Sequence, residues 1–159
     1  MEKIKFVVLP TVMVLFALSS CSDDDFRPEE IFQSALMGKY PDATRVEWEK
    51  KKIYVVADCI VEGKDADVWF SKNAEWKMTE IDILKNELPA AVTTSLAGSI
   101  YDTWRIDDVD LLKFPSKADE YVVEIEQGAK EILLYYSAGG ELLREKDVSN
   151  SDDTNWPEE

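Results

Sequence analysis

The stretch 63–76, GKDADVWFSKNAEW, has a counterpart 66 positions further on, AKEILLYYSAGGEL at 129–142. Lysine, acid, apolar core, two aromatics, serine, turn and glutamate recur in the same order. Upstream, Ile53, Tyr54, Val55 and Val56 answer to Glu120, Tyr121, Val122 and Val123. Further upstream, Pro28, Ile31, Ser34 and Tyr40 answer to Pro89, Val92, Ser95 and Tyr101. The offset drifts between 61 and 67, as insertions in surface loops produce. A doubled unit restricts the fold more than any single motif, because whatever one copy builds the other must build too.

Each copy opens with a helix. Pro28 and Pro89 suit a first helical turn, where a missing N–H is no loss, and Glu29 and Glu30 complement the positive end of the helix dipole. Ile31, Phe32, Ala35 and Leu36 recur at helical spacing, as do Val92, Leu96 and Ile100. Gly38 or Pro41 can end the first helix. Strands follow: Val46 and Trp48 alternate with Arg45, Glu47 and Glu49, 53–61 is a longer apolar run, and Ala66, Val68 and Phe70 alternate with Asp65, Asp67 and Trp69. Asn73-Ala74 and Gly139-Gly140 are tight-turn pairs leading into a fourth strand. The prediction is an α+β fold, a tandem repeat of helix plus four-stranded antiparallel sheet, with one repeat over 28–84 and the other over 85–148. The polar run 149–159 has no core of its own and is expected to be a disordered acidic tail, although Trp156 within it could dock.

The N-terminus carries Lys3 and Lys5 and then an apolar run from Phe6 to Leu18. This has the form of a secretory signal peptide over 1–20, too short for a permanent span, which takes about 20 apolar residues. It ends Leu18-Ser19-Ser20-Cys21, which resembles the bacterial lipobox, so that Cys21 would be acylated and become the first residue of the mature chain. Acyl chains contribute roughly 0.8 kcal/mol per buried methylene, enough for a stable anchor when two or three are present. Ser22, Asp23, Asp24 and Asp25 complete a lipidated acidic tether over 21–27. They resemble the surface-export signal of Bacteroidota lipoproteins; a plain solvated linker is the alternative. The expected location is the outer membrane facing the medium, or alternatively its periplasmic side.

Removing Glu2, Lys3 and Lys5 with the signal peptide takes 33 acids and 18 bases to 32 and 16. That balance argues against nucleic acid, which needs a basic face, and permits a basic partner or a cation. With Cys21 acylated, Cys59 has no disulfide partner, and its apolar surroundings suggest a small buried residue rather than a reactive thiol. The chain has no histidine, which removes Ser-His-Asp and Cys-His nucleophiles and the usual catalytic zinc sites.

The lipobox with its acidic run, the proline-led helix ending in Tyr40-Pro41-Asp42-Ala43, the Tyr-Val-Val strand and the doubled 70–76 hairpin resemble the PepSY-like, beta-lactamase-inhibitor-like lipoproteins of Bacteroidota. The second copy departs from the pattern, with Leu142 in place of the aromatic and Asp102 in place of the proline. The resemblance implies a helix-plus-sheet fold whose open face could grip another protein, and it carries over no catalytic residue. Fold alone does not give function.

The leading expectation is a non-enzymatic, lipid-anchored protein that binds an unidentified protein or peptide, with no cofactor and no metal. Strand alternation puts Trp69, Leu133 and Tyr135 on the outer sheet face, and large aromatics on a solvated face are the residue types that dominate binding hot spots. The alternative is that a loop, the tail or the other half covers them. On the solvated assignment, Trp69→Ala and Tyr135→Ala each cost less than about 1 kcal/mol, and Val68→Ala and Leu134→Ala about 2 kcal/mol or more. Two rival functions are a hydrolase using paired carboxylates and a structural accessory of an envelope complex. Asp107, Asp108 and Asp110 look cation-friendly but lack the turn glycine and terminal glutamate of a calcium hand.

Overall fold

The computed structural model describes residues 27–157. Helix α1 (Glu30–Lys39) precedes strands β1 (Thr44–Lys51), β2 (Tyr54–Val61), β3 (Lys64–Phe70) and β4 (Trp76–Asp82). A short 3-10 turn (Lys85–Glu87) and α2 (Ala90–Ala97) lead to β5 (Arg105–Lys113), β6 (Glu120–Gln127), β7 (Lys130–Ser137) and β8 (Leu142–Asp147). Both prolines stand just outside their helices, with Pro89 at the N-cap of α2, where its carbonyl accepts from the Val92 and Thr93 amides. Each helix turns one apolar stripe inward, Phe32 and Leu36 on α1, Val92 and Leu96 on α2. Ile31 and Ile100, expected in those stripes, are exposed, and α2 has ended before Ile100 is reached.

The strands form one antiparallel sheet in the order β1 to β8, not two four-stranded sheets. Two separate sheets would each leave an edge of unpaired N–H and C=O groups at β4 and β5. Those edges pair with each other instead, Thr79 opposite Lys113 and Asp82 opposite Asp110, so 28–84 and 85–148 share one sheet.

Some irregularities recur at corresponding places in β1–β4 and β5–β8. Register shifts fall between Thr44 and Glu47 on β1 and between Ile106 and Val109 on β5. Two more fall between Trp69 and Phe70 and between Tyr135 and Tyr136. At the third hairpin of each set, Ser71 N donates to Glu75 O and Ala74 N to Ser71 O, both at 2.9 Å; Ser137 N to Glu141 O and Gly140 N to Ser137 O repeat this at 2.9 Å. Ala74 and Gly140 take the same left-handed backbone, φ 60° and 81°.

Both helices lie on one face. There Phe32 meets Phe70 edge-on at 6.4 Å, and a single core runs through Ala57, Val68, Val92, Val123, Leu134 and Tyr136. The other face has a second core, made by Tyr54, Val56, Trp69, Met78, Leu112, Val122, Leu133, Tyr135 and Val148. Apolar layers on both faces account for β2 and β7, where consecutive residues rather than alternate ones are buried.

Candidate functional site

The face away from the helices holds the chain's most unusual chemistry. Trp69, Leu133 and Tyr135 do point there, but they are not solvated: they are 0 %, 2 % and 4 % exposed. The proposed open surface is therefore corrected to a covered one, and what covers it is the segment expected to be disordered. Residues 149–157 cross the face as a strap. Trp156 packs edge-on against Trp69 at 5.5 Å, beside Tyr54 at 5.8 Å on the same indole. Tyr135 OH donates to Asn155 Oδ1 at 2.5 Å, and Asn155 Nδ2 donates to Glu80 Oε1 at 2.6 Å. Tyr54 OH donates to the Pro157 carbonyl at 3.2 Å, and Lys146 Nζ to the carbonyls of Asp152 and Thr154. The strap has too few apolar residues to fold by itself; it is ordered because the sheet lends it a core. Composition measured along a segment cannot register that.

On one side of the strap lies a row of carboxylates. Asp58, Asp67 and Glu80 are direct cross-strand neighbours on β2, β3 and β4, and Asp108, Asp110, Glu124 and Asp153 continue the cleft. Like charges placed opposite each other are destabilising, and little cationic charge offsets them: Lys51 pairs with Glu49 at 2.7 Å and with Asp67 at 3.3 Å. The proton affinities respond. Burial, with neighbouring carboxylates adding to it, pushes Glu80 up to about 7 and Asp110 up to about 9. Burial and a hydrogen bond with Glu131 push Glu124 up to about 8. At neutral pH several of these groups keep a proton.

On the other side the lining is basic and aromatic. Lys117 Nζ lies 3.9 Å from the Phe114 ring centre, and the Arg144 guanidinium lies 3.7 Å over Tyr135 while pairing with Glu120 at 2.7 Å. Burial holds the Tyr135 phenol up at about 12, so it remains a donor. Trp69 Nε1 is buried without a hydrogen-bond partner among the described residues.

Other sequence candidates separate. Asp110 joins the acidic cleft with Asp108, whereas Asp107 pairs with Arg105 at 2.5 Å. Glu124, Glu131 and Asp153 bring carboxylate oxygens within 4.8 Å of one another; acids meet this way without an ion, and we assign no metal to them. Cys59 is buried in the helix-side core, and burial pushes its thiol up to about 11, which keeps it protonated and unreactive at neutral pH. Cys21, Ser22, Asp23, Asp24 and Asp25 lie outside the described residues. Sequence reasoning missed Glu80 and Glu124, and it singled out Asp110 only as a cation-friendly acid, not as part of this cleft. Their only local signal is an acid facing the same way as Trp69, and 33 acids make such coincidences common.

The family described as "Putative beta-lactamase-inhibitor-like, PepSY-like" matches residues 52–144. The chain belongs to this PepSY-like family. A crystal structure of a BLIP-like protein from Bacteroides fragilis is 48 % identical, with a TM-score of 0.80, covering 85 % of this chain and 99 % of that one. A protein from Bacteroides eggerthii described as a "putative periplasmic" protein is 28 % identical at TM-score 0.75, covering 80 % and 94 %. A DUF2874 family protein from Bacteroides uniformis is 28 % identical at TM-score 0.76, also covering 80 % and 94 %. No curated protein matches the chain. PepSY-like membership accounts for the BLIP-like α+β fold. Among the described residues no helix is long and apolar enough to cross a membrane.

Proposed function

We propose that this protein is a non-enzymatic, lipid-anchored envelope protein that binds an extended peptide segment of a protein partner on the outer face of its sheet. One observation carries the reading: the strap already sits there as such a ligand would. Its amide bridges Glu80 and Tyr135, its indole fills the space beside Trp69, and its backbone carbonyl accepts from Tyr54. A face that accepts an extended segment in cis has the chemistry to accept one in trans. The family and the inhibitor-like fold support a binding role over catalysis. The matched register shifts and hairpins support two copies of one ancestral unit fused through β4 and β5.

A strap tethered next to its own site acts at millimolar effective concentration, so it excludes a free copy of itself. A labelled peptide of residues 149–159 should therefore bind the full Trp156→Ala chain, whose strap has lost its anchor, and leave the wild type unoccupied. Fluorescence anisotropy reads both. No binding to the variant at millimolar peptide would remove the peptide-binding reading.

The anchor belongs to the same proposal, with Cys21 acylated and Ser22, Asp23, Asp24 and Asp25 directing the protein to the outer surface of the outer membrane. Fatty-acid labelling of cells should tag the wild type, and Cys21→Ala should abolish the tag and the membrane association. Protease added to whole cells should remove the domain, and should spare it once Asp23, Asp24 and Asp25 are alanine. A labelled Cys21→Ala protein would contradict the anchor.

A further inference from the structure

The strap is laid over an unbalanced electrostatic surface. Acids facing its acidic side come from every neighbouring strand: Asp67 on β3, Glu80 on β4, Asp108 and Asp110 on β5, Glu124 on β6. Asp58 on β2 stands opposite Asp67, and Asp82 on β4 stands opposite Asp110. Asp107 on β5 adds its charge to that around Glu124, and Glu131 on β7 joins Glu124. The strap adds two more negative groups, Asp152 and Asp153. Bases are fewer. Lys51 on β1 is occupied by Glu49 and Asp67, Lys52 lies over Trp156, and Lys146 on β8 holds strap carbonyls rather than carboxylates.

We propose that residues 149–157 are a pH-released cover, closed over Trp69 and Tyr135 while Glu80, Asp110 and Glu124 carry protons, and lifted from the face as these groups ionise.

The sign follows from where the protons are held. Burial and neighbouring acids raise Glu80, Asp110 and Glu124 to about 7, 9 and 8. Lifting the strap admits water to the cleft, and the three groups relax toward ordinary carboxylate values. Opening thus releases protons, and rising pH favours it. The bias toward closure is full below the ordinary carboxylate range, about pH 4, and is lost progressively as pH rises from there through the raised values, to about pH 9. The Asn155 amide donating to Glu80 eases ionisation at that one carboxylate. Asp153 opposes the charge forming on both Glu80 and Glu124, so repulsion acts on the strap itself. Tyr135, held up at about 12, stays neutral throughout and takes no part.

The inference builds on the reading of this face as a peptide site, but it is tested with no peptide present, so either can fail alone. Hydrogen exchange of the full mature chain, corrected for the intrinsic pH dependence of exchange, follows residues 149–157 against strand β7 from pH 5.5 to 9. Strap protection should fall at least tenfold while β7 stays protected. The Asp110→Asn, Glu124→Gln chain, in which only Glu80 of the three can still ionise, should lose less strap protection by pH 9 than the wild type does. Exposed Asp153→Asn leaves the sheet untouched and should move the opening to higher pH. Equal strap protection at pH 5.5 and 9 would overturn the proposal. So would parallel loss of protection in β7, or opening of both variants at the wild-type pH.

Discussion

Trp69→Ala is expected to destabilise the fold by roughly 3–5 kcal/mol, the range for emptying a large aromatic site in a packed core. The indole is fully buried and meets the rings of both Tyr54 and Trp156 edge-on. Its removal opens a hole in the outer core and unseats the strap that closes it. Tyr135→Ala should follow at about 2–4 kcal/mol, since it also leaves Asn155 without its phenol donor. Val68→Ala, one residue earlier and buried on the other face, removes fewer atoms and should cost less than Trp69→Ala. Denaturant midpoints at unchanged m-value measure all three. A loss below about 1 kcal/mol for Trp69→Ala would restore the solvated-face reading that strand alternation alone supports.

Gly140→Ala should be comparably damaging, at about 2–5 kcal/mol from left-handed backbone and overpacking together. A Cβ at this glycine would stand 2.4 Å from the Ala91 carbonyl oxygen and 2.9 Å from Ser95 Oγ. The hairpin would have to leave α2, breaking the 2.6 Å bond that Ser95 Oγ donates to Gly140 O. The left-handed backbone is the smaller part of the cost, because Ala74 carries a Cβ at φ 60° in the matching turn. Gly139→Ala is the control: its nearest new contact is Ser137 Oγ at 3.6 Å, an ordinary separation, and it should stay within about 1 kcal/mol. Thermal or denaturant unfolding distinguishes the two glycines, and equal effects would mean that the approach of α2 is not what excludes a side chain.

Gly139-Gly140 was legible as a turn, because turn geometry depends on a few adjacent residues. That the second glycine is also a contact point for α2 depends on a helix more than forty positions away. Trp69 is similar: its face follows from a period of two, but whether the face is wet depends on residues 149–157. The carboxylates were least legible. Asp67 and Glu80 become neighbours through β3–β4 pairing, and their proton affinities come from burial beneath a segment that composition alone assigns to solvent.

What the sequence determined by itself is local and periodic. It set the order of helices and strands, the matched hairpins, the helix-side stripe of Phe32, Leu36, Val92 and Leu96, and the lack of any histidine for catalysis. These follow from backbone sterics and side-chain spacing within a few residues. The tertiary structure alone decided that β4 and β5 join two sets of strands into one sheet. It alone put Asn155 between Glu80 and Tyr135, and made a binding-type surface into a core with an acidic margin. Those outcomes depend on which distant groups exclude water from which faces, and burial, unlike periodicity, is a property of the assembled chain.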